Sequence, residues 1–346
     1  MSTRNGNRLE FLDSLRGLAA LMVACAHFIE RTPLHNSFLF KHVNFGQVGV
    51  VCFFVLSGMV IPYSLKEGKR AISGFIISRF FRLYPAYWFS VFLAAFTFLF
   101  VTHRPLDIRT LLSNITMLQS LLRSPDMFGV YWTLIIELFF YASCAFLFKV
   151  NLLKSKVSLF LISIGLIATA LAFSYVRFVL DKKVPVAIPL AMSLMFFGSL
   201  WRSVSIGIAS RSERNMCIVF LITFLVAIAP ICLMSYNKDY GHGENASSYI
   251  ASYLTGIVLT LLLTTRVKLN VGLLVFLGSI SYSVYLIHPF FLEIVSVSID
   301  MDTDFNFIIF VLYLLATIAL ATISYKVIEK PSINIGHRLR KIALAS

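Results

Sequence analysis

Residues 12–28 read LDSLRGLAALMVACAHF, an apolar run that nonetheless contains Asp13, Arg16 and His27. Arg16 and His27 are eleven positions apart, which at about 100° per residue is three helical turns plus roughly 20°. Their side chains therefore share one helix face, and Asp13 falls near the same stripe. Because ionisable groups inside a membrane helix are costly and usually face a protein interior, this run predicts a membrane helix that lines a polar internal site.

The composition excludes a soluble protein. Hydrophobic residues make up 58% of the 346 residues and charged residues only 13%, and the mean hydropathy is +0.84. A soluble domain has a much lower apolar fraction, whereas many runs here reach the roughly 20 residues that cross a bilayer. With no polar tract long enough for a separate soluble domain, the sequence predicts one all-α polytopic membrane domain over residues 1–346.

The apolar runs predict ten membrane spans. Residues 71–84 are predicted to form an interfacial helix between the second and third spans. Residues 108–122 are apolar but short, which favours a re-entrant or surface helix. The predicted spans are 10–29, 45–64, 86–101, 131–148, 157–175, 186–201, 216–234, 247–264, 274–298 and 306–326.

Lysine and arginine are distributed unevenly between the two sides of this topology. Of the 30, 20 lie on the side of the N-terminus, nine on the opposite side, and Arg16 within the first span. Since cytoplasmic loops carry the excess of basic residues, both termini are predicted to be cytoplasmic. This bias and anionic lipid account for most of the net charge of +14, so the charge does not predict binding of nucleic acid.

A second group of basic residues lies in SRFFRLYPAYW, residues 78–88. Arg79 and Arg82 are three positions apart and share a helix face, and paired guanidiniums suit phosphate because each planar fork binds two oxygens. The alternative is a basic helix that lies on anionic lipid, which the neighbouring Lys66 and Lys69 would favour. The spacing alone leaves both interpretations open.

Glu137 lies in the fourth span, within YWTLIIELFFY, and a carboxylate at that depth needs a partner or water. In the predicted topology this helix descends from the outer surface, so Glu137 would share the outer half of the membrane with His27. Three roles stay open for Glu137: orienting or charging His27, accepting a hydrogen bond from a substrate hydroxyl, or pairing with a structural arginine.

The ninth span contains GSISYSVYLIHPFF. Ser281, Tyr285 and His288 lie on one face by the i, i+4, i+7 rule, and Pro289 predicts a kink next to His288. These side chains are candidates for substrate contacts. The alternative is that they only hold helices together, since Ser and Tyr commonly bond between membrane helices.

Six segments together form one pattern. They are LDSLRG at 12–17 with His27, FFVLSG at 53–58, RFFRLYP at 79–85, WTL at 132–134 with Glu137, SYSVYLIH at 281–288, and IEKP at 328–331. Each alone is weak, but the set, in this order over nearly the whole chain, resembles the acyltransferase family 3 membrane proteins. Some members carry a C-terminal hydrolase-like domain; this chain stops soon after Pro331 and so resembles the stand-alone kind.

The resemblance implies a membrane O-acyltransferase, most simply an O-acetyltransferase of a bacterial inner membrane. Its donor would be cytoplasmic acetyl-CoA or another acyl-CoA, and its acceptor a hydroxyl of a glycan or another compound on the outer side. Membrane lipid would be its other partner, and it would need no metal. A spaced arginine and histidine in the first span are the family's hallmark, so catalysis carries over to Arg16 and His27. The family's Arg-x-x-Arg segment is associated with CoA, so donor binding carries over to Arg79 and Arg82.

The other predicted site residues complete this hypothesis. With His27 as the general base that takes a proton from the acceptor hydroxyl, Glu137 is a further catalytic candidate. Arg16 is about 16 Å from His27 at 1.5 Å per residue, so it would hold Asp13 or guide the thiol arm. Ser57 precedes a glycine that permits close approach of a helix or ligand, and we expect it at the donor site. The residues expected to contact the acceptor are Trp132, Ser281, Tyr285 and His288.

Two alternatives stay open at this point. A secondary transporter or flippase would also use midplane charges, broken helices and polar cavities. The sequence shows no convincing internal repeat, and the Arg-x-x-Arg segment favours the enzyme. Within the enzyme hypothesis, direct transfer and an acyl-enzyme intermediate are both compatible with the sequence.

Overall fold

The computed structural model describes residues 9–65, 67–68, 70–238, 245–301 and 303–345, and in these ranges it contains helices, turns and loops but no strand. Lys66 and Lys69, which were weighed above as lipid contacts, lie outside the described residues. The α-helices of the described part are α1 (Glu10–Ile29), α2 (Phe38–His42), α3 (Phe45–Val60), α4 (Ala71–Phe96), α5 (Ile108–Ile115), α6 (Trp132–Lys149), α7 (Lys156–Leu180), α8 (Ala187–Ser205), α9 (Arg211–Ser235), α10 (Ala246–Thr265), α11 (Gly272–Ser279), α12 (Ser281–Ser298), α13 (Phe307–Ser324) and α14 (Lys330–Ala345).

Nine helical segments of the described chain are long and apolar enough to cross a membrane, and α11 with α12 passes the same test as a pair bent by 75°. The predicted all-α polytopic membrane fold is therefore confirmed, and the number of spans reaches ten when the bent pair is taken as one. The side of the membrane on which the termini lie stays a prediction.

Polar side chains begin several of these apolar helices. The Asn44 side chain accepts a hydrogen bond from the Gln47 backbone N–H at the start of α3, and Ser210 and Glu213 form a reciprocal capping box at the start of α9. Such caps satisfy backbone N–H groups that the helix itself leaves without acceptors. They fix where the chain leaves each loop and enters the bundle.

The predicted interfacial helix at 71–84 is wrong as a separate element. It is the first half of α4, which runs unbroken from Ala71 to Phe96 and continues as a π turn, Thr97–Val101. Pro85, which falls between the predicted interfacial helix and the third predicted span, lies inside the helix. A proline there removes one backbone hydrogen bond, which packing against neighbouring helices can offset in a membrane bundle.

The last predicted span, 306–326, is too short. α13 passes through a π turn, Tyr325–Glu329, directly into α14. Pro331 is the second residue of α14 and lies inside this continuous helix, where its missing N–H removes one backbone hydrogen bond. As a result α14 returns along α4. Two glycines allow the helices to approach closely: Gly336 of α14 faces the Phe81 side chain, and Gly74 of α4 faces the Arg340 side chain.

The ninth predicted span, 274–298, is broken at Ile280 rather than kinked at Pro289, which lies within the continuous α12. The break follows from how α11 packs on α1. A Cβ on Gly278 would collide with the Asp13 carbonyl, and one on Gly17 would collide with the Leu274 carbonyl. Small residues allow such backbone contact between membrane helices, and the bend then directs Ser281 and the rest of α12 into the bundle.

Two ends of the bundle can be distinguished by the contacts between its loops. At the end we call the arginine end, Arg340 donates a hydrogen bond to the Ser64 carbonyl and Lys156 to the Tyr63 hydroxyl. At the opposite end, which we call the histidine end, the Asn44 backbone N–H donates to the Ser252 hydroxyl. α1 runs from the arginine end to the histidine end and is mostly buried.

The segment predicted at 108–122 enters the bundle from the histidine end. Its helix is short, ending at Ile115, and the next turn is held by side chains of α4: Tyr84 donates to the Thr116 carbonyl, Tyr87 to the Asn114 carbonyl, and Trp88 to the Ile115 carbonyl. Trp88 lies 13 residues before the end of the π turn at Val101, which is about 20 Å at 1.5 Å per residue. The structure therefore favours the re-entrant alternative over a surface helix.

Candidate functional site

A cavity of about 110 Å³ lies in the arginine half of the bundle, among α1, α3, α4, α6 and α12. Seven of the ten side chains predicted from the sequence line it, whereas His27, Trp132 and His288 do not. Its polar and charged lining consists of Arg16, Ser57, Arg79, Arg82, Thr133, Glu137, Ser281, Tyr282 and Tyr285. We call this the basic cavity.

Arg79 is held mainly by aromatic faces. Its guanidinium carbon lies 5.3 Å from the ring centres of both Phe75 and Tyr141, and one terminal nitrogen donates to the Ser64 hydroxyl at 2.5 Å. Within the described residues it has no carboxylate partner, and its Nε makes no hydrogen bond. Aromatic faces stabilise the cation without neutralising it, so Arg79 can still bind an anion.

Arg82 has a counterion that the sequence analysis missed. Its guanidinium lies 3.5 Å from Glu329 Oε1, and the Ser283 hydroxyl donates to Glu329 Oε2 at 2.8 Å. Glu329 is 1% exposed, so the ion pair is anchored in the protein interior. The position of Glu329 in the IEKP segment was a signal, but 247 residues of sequence separate it from Arg82, and no local spacing rule links them.

Glu137 lies in the basic cavity and accepts a hydrogen bond from the Tyr141 hydroxyl. The prediction that it shares the outer half of the membrane with His27 is wrong. That depth assumed a helix that begins at the surface, whereas the turn before α6 is sunk into the bundle: Tyr131 is fully buried and bonds to Ser90 at 2.7 Å. α6 therefore begins deep, and Glu137 lies on the same cavity as Arg16.

Arg16 lies 3.6 Å from the Asp13 carboxylate, one turn away on α1, and also lines the basic cavity. Ser281 and Tyr285, which were expected at the acceptor site, line this cavity too, because the bend at Ile280 turns the start of α12 towards the arginines. Trp132 stands behind the cavity wall, with its ring 6.5 Å from that of Phe54.

His27 and His288 form a hydrogen-bonded pair that joins α1 to α12. The distance from His27 Nδ1 to His288 Nε2 is 2.9 Å, and the Nδ1 of His288 lies 3.1 Å from the Val284 carbonyl. His288 is completely buried, whereas His27 is partly accessible. Sequence analysis predicted His27 as the general base and His288 as an acceptor contact, but it did not pair them.

The hydrogen bonds of this pair determine which nitrogens carry protons. A carbonyl only accepts, so His288 Nδ1 carries the proton that it donates to Val284. In the neutral ring His288 Nε2 then has a lone pair and accepts from His27 Nδ1–H. His27 Nε2 is left as the basic nitrogen, and it points towards Gly46 of α3, where a Cβ would come within 3.8 Å of it.

Tyr285 separates the histidine pair from the basic cavity. Its ring lines the cavity and lies 6.0 Å from the ring of His288. Its hydroxyl is fixed by Thr133 at 2.7 Å and donates to the Val130 carbonyl at 2.8 Å. The Tyr285 ring therefore lines the basic cavity on one side and lies next to the imidazole of His288 on the other.

A second recess, of about 210 Å³, opens at the histidine end. Glu30 and Asn44 lie on its wall and are joined by a hydrogen bond of 2.9 Å. Desolvation by the surrounding protein raises the pKa of the Glu30 carboxyl to about 7, while the bond from Asn44 and the charge of Arg31 act in the opposite direction. We call this the outer recess.

The described residues contain no group of three or more His, Cys, Asp or Glu side chains that could hold a metal ion. The polar groups of the basic cavity and the histidine pair are guanidiniums, hydroxyls, the Glu137 carboxyl group and two imidazoles. The arginines can bind phosphate, and an imidazole nitrogen can accept a proton from a hydroxyl.

The comparisons with known proteins agree with one another. A family model described as an acyltransferase domain matches residues 9–326. A protein of Acidianus two-tailed virus, whose name provisionally assigns it to the acetyltransferases, is 24% identical over 287 residues, which cover 82% of this chain and 83% of that protein. No solved structure matches the chain. The family match covers nearly the whole described bundle, and the chain belongs to acyltransferase family 3, a family of membrane acyltransferases.

Proposed function

We propose that this protein transfers an acyl group, in the simplest case acetyl, from cytoplasmic acyl-CoA to a hydroxyl of a glycan or another acceptor, with His27 as the general base. The observation that supports this most directly is the hydrogen-bond chain from Val284 through His288 to His27. It leaves one lone pair, on His27 Nε2, at the side of the bundle opposite the basic cavity.

The donor binds at the basic cavity. Arg79 has no carboxylate partner in the described chain, and with Arg82 it presents two guanidiniums to the phosphates of CoA. A volume of about 110 Å³ is well below the 300 Å³ or more of a typical pocket for a whole cofactor. It admits the thin pantetheine arm and a short acyl group, so the nucleotide stays at the mouth of the cavity. Phe53 and Leu134 supply the apolar wall that the arm needs.

Transfer takes place at His27. Its Nε2 removes the proton from the acceptor hydroxyl as the oxygen attacks the thioester carbonyl. The carbon–sulfur bond then breaks, the ester forms, and the thiolate of CoA takes the proton from His27. His288 keeps the Nδ1 of His27 bonded throughout, so that the same nitrogen always faces the acceptor.

The two substrates approach from opposite ends. Arg16 and His27 lie about 16 Å apart along α1 at 1.5 Å per residue, so the arm of CoA has to reach past Tyr285 to bring the thioester to the imidazole. This arrangement and the distribution of basic residues favour an arginine end in the cytoplasm, with both termini.

A secondary transporter or flippase is the alternative, because the bent pair of α11 and α12 is the kind of broken helix on which such proteins build their sites. A transporter moves its substrate unchanged, whereas the enzyme cleaves a thioester. The two functions therefore differ in whether free CoA is produced.

The test is release of CoA from radiolabelled acetyl-CoA by purified protein in lipid nanodiscs, with wild type compared with His27→Ala. We expect the variant to lose about 10²–10⁴-fold in turnover, the usual contribution of a general base, while acetyl-CoA binding stays unchanged. His42→Ala is the matched control, because His42 is exposed at the same end and bonds only to the Phe38 carbonyl of its own helix.

Turnover by His27→Ala equal to that of wild type would contradict the general-base role. Binding of acetyl-CoA with no release of CoA by wild type, across a range of hydroxyl acceptors, would favour the transporter. Folding of each variant is checked by its thermal unfolding midpoint in the same lipid.

A further inference from the structure

The outer recess lies near the basic nitrogen of His27, although His27 itself is not among the residues that line it. Glu30 follows His27 by three positions on α1 and so shares its side of the helix, and Ala26 lines the recess from the preceding position. Gly46 lies between His27 and Asn44. A Cβ on Gly46 would be 3.8 Å from His27 Nε2 and 3.0 Å from Asn44 Oδ1. The wall residue Asn44 and the catalytic nitrogen therefore face the same small space, which only a glycine leaves open.

The recess is built for hydrogen bonds to a ligand with little net charge. The acidic and basic side chains on its wall are Glu30, Lys41 and His35, and above about pH 7, where Glu30 is mostly ionised, its charge offsets that of the Lys41 ammonium. Amide side chains are contributed by three separate elements. These residues are Asn36, Asn44 and Asn245.

Glu30 and Asn44 are held in a defined arrangement. The Asn44 amide nitrogen donates to Glu30 Oε1 at 2.9 Å, and Asn44 Oδ1 accepts from the Gln47 backbone N–H at 2.8 Å. The cap therefore fixes which way the amide points. Arg31 does not neutralise Glu30 by contact, because its guanidinium is bonded to Glu293 at 2.5 Å and to Ser296 at 2.6 Å on α12.

A carboxylate has about four lone-pair positions on its two oxygens, and the bond from Asn44 uses one of them. The remaining positions can accept from two hydroxyls at once. An isolated hydroxyl uses only one, so a compound with two adjacent hydroxyls gains a contact that a simple alcohol lacks. A third hydroxyl on the same molecule can then reach His27 Nε2.

We propose that the outer recess is the acceptor-binding site and that Glu30, oriented by Asn44, selects a neutral compound with adjacent hydroxyls by accepting hydrogen bonds from two of them. This rests on the proposed function, since it places the acceptor beside the nitrogen that would deprotonate it. The aromatic rings of Phe40 and Tyr249 on the recess wall supply the apolar surface against which the carbon skeleton of such a compound packs.

The experiment measures two products at once, in nanodiscs with radiolabelled acetyl-CoA: acetyl esters of an added acceptor, and free acetate from water. The acceptors are the methyl glycosides of glucose, mannose and galactose, with 1-butanol as the isolated hydroxyl. For wild type we expect kcat/KM for at least one glycoside to exceed that for butanol by about tenfold or more. Glu30→Gln should lower the ratio of glycoside ester to acetate by about tenfold relative to wild type.

Glu67→Gln is the matched control, because Glu67 is an exposed carboxylate at the arginine end, paired with Lys154. It should change neither product. If no glycoside is acetylated better than butanol, or if Glu30→Gln acetylates glycosides as well as wild type does, the acceptor site is not this recess.

Failure of the proposed function looks different in the same assay. If His27→Ala still releases acetate at the wild-type rate, the general-base role of His27 is contradicted, whatever the result for Glu30→Gln. Acetate release that depends on His27, together with indifference to Glu30→Gln, would leave the base intact and overturn only the recess. The two proposals are therefore tested separately by one pair of measurements.

Discussion

At the arginine end of the bundle, three guanidiniums surround a cavity and are balanced by carboxylates and aromatic rings. At the histidine end, two imidazoles are bonded to each other beside a recess of mixed polar groups. α1 contributes to both, through Arg16 and His27. In the proposed function, the same helix contributes Arg16 to the region that binds the anionic donor and His27 to the region that transfers the proton.

This difference shows how a membrane protein can separate binding from chemistry. Fixed positive charge attracts an anion from a distance and tolerates variation in geometry, whereas proton transfer requires heavy atoms within about 3 Å and a defined protonation state. Accordingly, the arginines each have several partners, among them aromatic rings, hydroxyls and carboxylates, while His27 is held by one hydrogen bond of 2.9 Å to a fully buried partner. Variants at the two ends should therefore fail in different ways.

The largest expected effect outside His27 itself is at His288. His288→Phe removes the acceptor for His27 Nδ1–H, so the imidazole can adopt either tautomer and either ring orientation. We expect kcat to fall about 10–100-fold, the size of effect found when a group that orients a functional histidine is lost, with the KM for acetyl-CoA unchanged. Steady-state kinetics in nanodiscs measure both constants.

His288→Asn is the informative second variant, because its side-chain oxygen can accept the same hydrogen bond. Partial recovery of kcat relative to His288→Phe would identify His288 as a positioning residue. An equal loss in both variants, with unchanged thermal stability, would mean that His288 acts in another way, for example by contacting substrate.

For Arg79 we expect a smaller effect, and one on the KM for acetyl-CoA rather than on kcat. Arg79→Ala removes one charge at the mouth of the basic cavity, and the KM for acetyl-CoA should rise about tenfold, which corresponds to about 1.4 kcal/mol. The kcat should stay within about twofold of wild type. Because the contact is electrostatic, added salt should weaken donor binding by wild type more than by the variant.

Arg214→Ala is the matched control, since Arg214 is an exposed arginine at the same end that does not line the cavity. A fall in kcat without a change in KM for Arg79→Ala would break the separation of binding from chemistry. Arg82 is less suitable for this test, because its removal leaves the buried carboxylate of Glu329 without its cation and lowers stability.

The fold was largely predictable from the sequence because membrane spans are a local property. Length and apolarity alone locate most of the helices, because a chain in lipid has to form its backbone hydrogen bonds within each helix. The errors in the fold lie at the boundaries of three predicted segments. Pro85 and Pro331 lie inside continuous helices, whereas the actual break, at Ile280, has no proline and results from the contact of Gly278 with the backbone of α1.

The candidate site was predictable as a set of residues but not as an arrangement. Helical spacing put Arg79 and Arg82 on one face, and both line the basic cavity. Spacing could not pair His27 with His288, or Arg82 with Glu329, because each pair is joined across helices by packing that no periodicity encodes. The depth of Glu137 was wrong for the same reason: it depended on a buried turn before α6 that sequence alone does not reveal.

The smallest effect, and the one that sharpens the description of the arginine end, is at Ser64. Ser64→Ala removes the hydroxyl that accepts from Arg79 at 2.5 Å but keeps the backbone carbonyl that accepts from Arg340. Loss of one hydrogen bond of about 0.5–1.5 kcal/mol should raise the KM for acetyl-CoA about threefold, and Ser64→Thr should restore it.

A double-mutant cycle decides whether this effect passes through Arg79. In the Arg79→Ala background, Ser64→Ala should change the KM for acetyl-CoA no further, because the hydroxyl has lost the group that it orients. If the two effects on the KM instead multiply, Ser64 influences donor binding by a route other than Arg79. The arginine end would then be a more precisely arranged binding site than a group of cations that attracts the donor by charge alone.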